Sequence, residues 1–130
     1  MIIRKPSHWE KLLAIVVGLS LGILISTTAN ADLDKAMAGK NEFVLGNYDK
    51  AISLFISFAK DSPNSSNIKD SKLWLARAYF ANKEYLKSKD TFLDYQSNNK
   101  HHSKYADSMF ELSMVLIKLN EVSENINVYE

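Results

Sequence analysis

The feature that most constrains this chain is a recurrence at a fixed offset of 37 positions. Tyr48, Lys50, Phe55 and Phe58 return as Tyr85, Lys87, Phe92 and Tyr95. Ser66, Asp70, Ser71 and Leu75 return as Ser103, Asp107, Ser108 and Leu112. Three series run through three copies: small Gly39, Ala76 and Ser113; Ala51, Ser88 and Asn125; aromatic Phe55, Phe92 and Tyr129. No gap is needed to keep the register. A repeat of this length is one supersecondary unit that buries its apolar face against its own copies, so the chain is read as a stacked array.

Each copy reads as two helices, because apolar residues recur at helical spacing and nothing alternates with period two over more than a few residues. In the second copy, Ser66 is expected to cap a helix running to about Asn82, with Leu73, Leu75, Ala76, Ala78, Tyr79 and Phe80 among its apolar residues. Lys83-Glu84 form the turn, and the partner helix runs from Tyr85 to about Asn98. Asn98-Asn99-Lys100 end it, and Ser103 is expected to cap the next helix. Asp61-Ser62-Pro63-Asn64-Ser65 link the first copy to the second, with proline giving a sharp stop. The expected fold is therefore all-α: a helical-hairpin solenoid of about two and a half repeats, at about 32–65, 66–102 and 103–130. The last copy is expected to be incomplete, ending part-way through its second helix without a polar cap.

The first 31 residues do not belong to the array. Arg4, Lys5 and Lys11, offset only by Glu10, precede an uncharged apolar run over residues 12–25. That run has the length of a secretory h-region and is short of the roughly 20 residues a membrane-spanning helix needs. Ala29-Asn30-Ala31 then gives a small-x-small cleavage pattern before Asp32. The reading is a cleaved export signal, with an uncleaved anchor in the inner membrane, facing the periplasm, as the alternative. Cleavage leaves three fewer basic and one fewer acidic residue than the 16 Lys+Arg and 15 Asp+Glu of the whole chain. The remainder is nearly neutral and has no global electrostatic reason to seek nucleic acid.

Chemistry finds few carriers. The chain has no cysteine, which excludes disulfides, thiolate nucleophiles and an N-terminal lipid on Cys. Beyond the leader the histidines are His101 and His102, adjacent in an expected loop where their side chains diverge, which is poor geometry for a metal. No nucleophile elbow or Gly-rich phosphate loop is present. The chain is expected to be a binding protein rather than an enzyme, without metal or cofactor.

Trp74-Leu75-Ala76-x-x-Tyr79, followed by Tyr85, Ser88 and Phe92, resembles the tetratricopeptide-repeat (TPR) pattern. Gly46-Asn47-Tyr48-Asp49-Lys50-Ala51 with Phe55 and Pro63 carries its second half. The stretches Gly46-x-Tyr48-x-x-Ala51-x-x-x-Phe55-x-x-Phe58, Trp74-Leu75-Ala76 and Ala106-Asp107-Ser108-Met109-Phe110-Glu111-Leu112-Ser113 resemble most the C-terminal repeats of the CpoB-type cell division coordinators of the Tol-Pal system. Lys83 and Asn120 stand where that pattern has its turn glycine, and Lys100 where it has proline. The resemblance implies a periplasmic adaptor that links outer-membrane constriction with septal peptidoglycan synthesis, with TolA and a bifunctional penicillin-binding synthase as partners. It also implies a peptide groove lined by the first helices of successive units. In the 37-residue register that lining is Lys40, Arg77 and Met114 in one row and Phe43, Phe80 and Ile117 in another, with Leu73 and Phe110 a turn earlier. Two further readings stand beside this one: a membrane-anchored adaptor of unknown partner, and a truncated remnant of a longer repeat protein that has lost its function.

Overall fold

A computed structural model describes residue 5 and residues 7–12 and 33–127. The chain divides after residue 31 into two units. In the first, residues 8–12 are helical, opened by a reciprocal capping box. Glu10 Oε2 accepts the Ser7 backbone N–H at 2.8 Å, and Ser7 Oγ accepts that of Glu10 at 3.3 Å. The rest of the expected apolar run and the cleavage residues Ala29, Ala31 and Asp32 lie outside the described residues. Among the described residues no helix is long and apolar enough to cross a membrane.

The second unit is all-α, with no strand among its described residues. Its helices are α1 (33–44), α2 (Tyr48–Asp61), α3 (Ile68–Ala81), α4 (Tyr85–Asn98) and α5 (Tyr105–Asn127). Both ends of α2 and α4, the ends of α1 and α3, and the starts of α3 and α5 are each separated by the 37-residue offset. Three-residue turns join α1 to α2 and α3 to α4, the connection length of an antiparallel helical hairpin.

The two turns are built the same way. At the end of α1 the Gly46 N–H bonds to the Phe43 carbonyl and the Asn47 N–H to the Glu42 carbonyl. At the end of α3 the Lys83 N–H bonds to Phe80 and the Glu84 N–H to Tyr79. This is a Schellman closure, with the residue after the cap in left-handed conformation: Gly46 at φ 81° and Lys83 at φ 63°. An aromatic pair clamps each turn from the side, Phe43 on Tyr48 and Phe80 on Tyr85, both with ring centroids 5.5 Å apart.

The third copy departs from the expectation. In register, Asn120 should turn the chain, yet α5 is a single 23-residue helix that runs through it. The aromatic clamp is missing, because Ile117 and Val122 stand where the other copies have Phe and Tyr. Helix-continuing side-chain contacts take its place: Lys118 to Glu121 and Asn120 to Glu124. The expected second helix of this copy is thus an extension of the first across the described residues.

The expected caps are also displaced. Ser66 and Ser103 lie in turns, and α3 and α5 begin two residues after them. Asn67 occupies the cap position of α3 without a side-chain cap bond. Its own N–H is taken by Ser65 Oγ at 3.3 Å, so the serine that ties this turn is the one before the expected residue.

Small residues set the distance between the paired helices. Ser88 is fully buried, and its hydroxyl donates to the Ala76 carbonyl at 2.8 Å, a contact that only small side chains on both helices permit. Gly39 lies directly under the Phe55 ring: a Cβ there would meet three ring carbons at 2.7–3.0 Å. Among the described residues the core has two clusters. Ala51, Ile52 and Phe55 of α2 pack with Ala78 of α3, and Leu73 and Ala76 of α3 pack with Phe92 and Tyr95 of α4 and Val115 of α5. Lys35 to Asp61 and Lys72 to Asp94 bridge α1 to α2 and α3 to α4 at 2.5 Å. These exposed pairs contribute about 0–1 kcal/mol each.

Candidate binding cleft

Trp74 is the hub of the side formed by α1, α3 and α5. Phe43 of α1 meets its ring edge-on at a centroid distance of 5.3 Å and an angle of 73°. Two cations flank the same ring, Lys40 Nζ at 5.6 Å and the Arg77 guanidinium at 5.0 Å. Cation–aromatic contacts of this kind contribute about 0.5–1 kcal/mol where water reaches them. They fix the two cations to the wall of the cleft instead of leaving them mobile.

Arg77 is engaged on its far side as well. Its Nε and Nη2 donate to Glu111 Oε2 and Oε1 of α5 at 2.7 and 2.6 Å, a two-point fork between half-buried side chains. These hydrogen bonds, opposed by burial, hold the guanidinium above its ordinary value. A ligand carboxylate would therefore compete with Glu111 for Arg77. Among the described residues Lys40 makes no ion pair, so it is the cation open to an incoming acidic group.

Beside this fork lies a cavity of about 230 Å³ lined by Phe43, Arg77, Phe80, Ala81, Phe92, Glu111 and Met114. Sites for drug-sized ligands run to roughly 300–1,000 Å³, so this one is suited to a side chain rather than a cofactor. Four residues of the expected lining, Phe43, Arg77, Phe80 and Met114, meet here, with Lys40 one contact away on Trp74. The other three do not join them. Leu73 is 1% exposed and belongs to the core beneath α4, so its assignment to an open lining is corrected. Phe110 takes the same register position on α5, where no described helix covers it, and it is exposed, as is Ile117. Trp74 and Glu111 are cleft-wall positions that the periodic reading of the lining passes over. Their register equivalents are Met37, Trp74 and Glu111, three unlike residues that form no repeating series.

The histidine pair divides between two environments. His101 is exposed, whereas His102 is half-buried and its Nδ1 shares a 2.5 Å hydrogen bond with the hydroxyl of fully buried Tyr95. His102 thus ties the loop between α4 and α5 to the core. Burial raises the Tyr95 phenol above its ordinary value. Among the described residues no three His, Cys, Asp or Glu side chains gather where they could hold a metal ion. Comparison with protein-family models and with curated proteins finds no match for this chain.

Proposed function

We propose that the chain is a TPR-like protein-binding module, exported by its N-terminal segment, that takes an extended or helical peptide across the α1–α3–α5 side. The observation that carries the reading is the cavity between Phe43, Phe80 and Met114, walled by the Trp74–Arg77–Glu111 fork. An apolar side chain of the peptide enters this cavity, and an acidic group one or two residues away pairs with Lys40. The resemblance to the CpoB-type coordinators supplies the partners: TolA and a bifunctional penicillin-binding synthase, met in the periplasm. The role is that of an adaptor, with no catalytic step assigned to its residues.

The test is direct titration of purified periplasmic domains of TolA and of the synthase against the protein, followed by fluorescence anisotropy. Met114→Glu places a charge at the cavity mouth and Lys40→Glu reverses the open cation. Both positions are solvent-accessible, so neither substitution removes a core contact. Each is expected to weaken binding at least tenfold, whereas Leu86→Glu on exposed α4 leaves it unchanged. Binding of neither domain, or equal binding by all variants, overturns the assignment.

A further inference from the structure

The cavity beside the Arg77–Glu111 fork has a chemistry more particular than apolar. Of its lining residues only Arg77 and Glu111 carry polar side chains, and three of the other five are phenylalanines. Those rings are held in place before any ligand arrives. Phe43 lies against both Tyr48 and Trp74, and Phe80 against Tyr85. Phe92 is 1% exposed and belongs to the core. Arg77 is fixed between the Trp74 ring and Glu111. A cavity with walls so ordered loses little freedom on filling, and its shape selects its occupant. A flat ring can meet three aromatic walls in tilted or edge-on geometry, each such pair worth roughly two- to tenfold in affinity beyond the area buried. The Met114 thioether at the mouth adds a favourable contact with a ring edge. A branched aliphatic side chain gains neither.

Size and hydrogen bonding narrow the occupant further. A dry cavity of about 150 Å³ takes a benzene ring. This one holds about 230 Å³, which leaves room for two fused rings. Glu111 is the polar group that such a ring must satisfy. An ionised carboxylate has about four acceptor sites, and Arg77 fills two of them, Nε on Oε2 and Nη2 on Oε1. The Glu111 side chain is 24% exposed, so water reaches its other acceptor sites in the free protein. A wholly apolar occupant would strip those sites of water and return nothing, which costs affinity. An occupant with one N–H gives the hydrogen bond back. Indole meets both requirements, as a bicyclic ring with a single N–H donor and no acceptor. We propose that the peptide side chain entering the cavity is tryptophan, its ring among the phenylalanines and its Nε1–H donated to Glu111. This rests on the protein-binding reading above and names the anchor which that reading leaves open. Glu111 then has two tasks, fixing Arg77 and deciding which aromatic residue is accepted.

Short synthetic peptides, each with glutamate two positions from a central anchor residue, test this against the full-length protein by isothermal titration calorimetry. The anchor is tryptophan, its benzothiophene isostere, tyrosine, phenylalanine or leucine. The isostere replaces the N–H by sulfur and keeps the ring system the same size. The tryptophan peptide is expected to bind tightest, with the isostere and phenylalanine about fivefold weaker and leucine weaker again. Glu111→Ala removes the acceptor, so tryptophan and its isostere should then bind alike. Glu111→Gln keeps an acceptor oxygen and should retain part of the preference. Should Glu111→Ala lose its helical circular dichroism, the isostere comparison in the unmodified protein decides alone. Any other peptide of the series binding as tightly as the tryptophan peptide overturns the proposal. So does a difference between tryptophan and its isostere that survives in folded Glu111→Ala. In either case, loss of peptide binding in Met114→Glu shows that the protein-binding reading itself stands. If no peptide of the series binds, both fall together.

Discussion

Adding a single methyl group at Gly39 tests whether α1 and α2 are held apart by the distance that the repeat dictates. In an unobstructed helix interior, Gly→Ala stabilises by about 0.5–1 kcal/mol, because alanine loses less backbone freedom on folding. At Gly39 the new Cβ would meet Cε1, Cζ and Cδ1 of Phe55 at 2.7, 2.9 and 3.0 Å. The ring has little room to give, since Phe55 is 1% exposed and packs with Ala51, Ile52 and Ala78. Overpacking of a filled core costs about 1–3 kcal/mol. The two terms oppose each other and the clash is the larger, so Gly39→Ala should destabilise by about 1 kcal/mol. Urea unfolding followed by far-ultraviolet circular dichroism measures the difference. Repeating it with Phe55→Leu identifies the cause, because removing the ring should recover most of the loss as a coupling between the two sites. A Gly39→Ala protein more stable than the parent by the full helix-propensity gain would refute the close approach.

Three further outcomes follow from particular positions. Lys83 holds a left-handed backbone that costs a residue with Cβ roughly 1–2 kcal/mol, so Lys83→Gly should stabilise by up to about 1 kcal/mol in the same unfolding assay. Ser71 is 2% exposed and its hydroxyl has no hydrogen-bond partner; Ser71→Ala removes that buried polar group and should raise stability by about 1 kcal/mol. The carboxyls of Glu42, Asp61 and Glu84 are held below their ordinary values, chiefly by hydrogen bonds from Lys50, Lys35 and Lys87. Their contribution is present above the unfolded values of 4.5 and 3.8 and lost as pH falls through the lowered ones. Tyr95, raised by burial, contributes below the unfolded value of 10.0 and loses its contribution as pH rises past it. Thermal midpoints should accordingly decline below about pH 4.5 and again above about pH 10.

Much of the helical layout is legible in the residues themselves. The turn at Lys83-Glu84 and the span from Tyr85 to Asn98 follow from the 37-residue register and the spacing of apolar residues. The small series Gly39 and Ala76 marks the close approaches seen at Phe55 and Ser88. What the register cannot convey is where it is broken. Leu73 and Phe110 occupy one position in it, yet α4 buries the first and no described helix covers the second. Burial depends on the neighbour, and among the described residues α5 has no partner helix of the kind that α4 gives α3. Asn120 illustrates the same point locally. A turn there would need the aromatic clamp of the earlier copies, and Ile117 with Val122 cannot form it. Ser66 and Ser103 carry the right chemistry for a cap, but Ser65 ties the turn instead and α3 starts later. The cleft was legible only in part, because Phe43, Phe80, Arg77 and Met114 follow the period whereas Trp74 and Glu111 do not. The Arg77–Glu111 fork joins residues 34 apart, which no reading of like residues at like positions discovers.

The central claim is that two like helical hairpins are followed by one uninterrupted helix, and that the cleft is built between α1, α3 and α5. Backbone chemical shifts of the isotope-labelled protein test it most directly. The account predicts helical shifts without interruption from residue 105 to 127, with left-handed signatures at Gly46 and Lys83. A left-handed shift at Asn120, flanked by two separate helical segments, would contradict it.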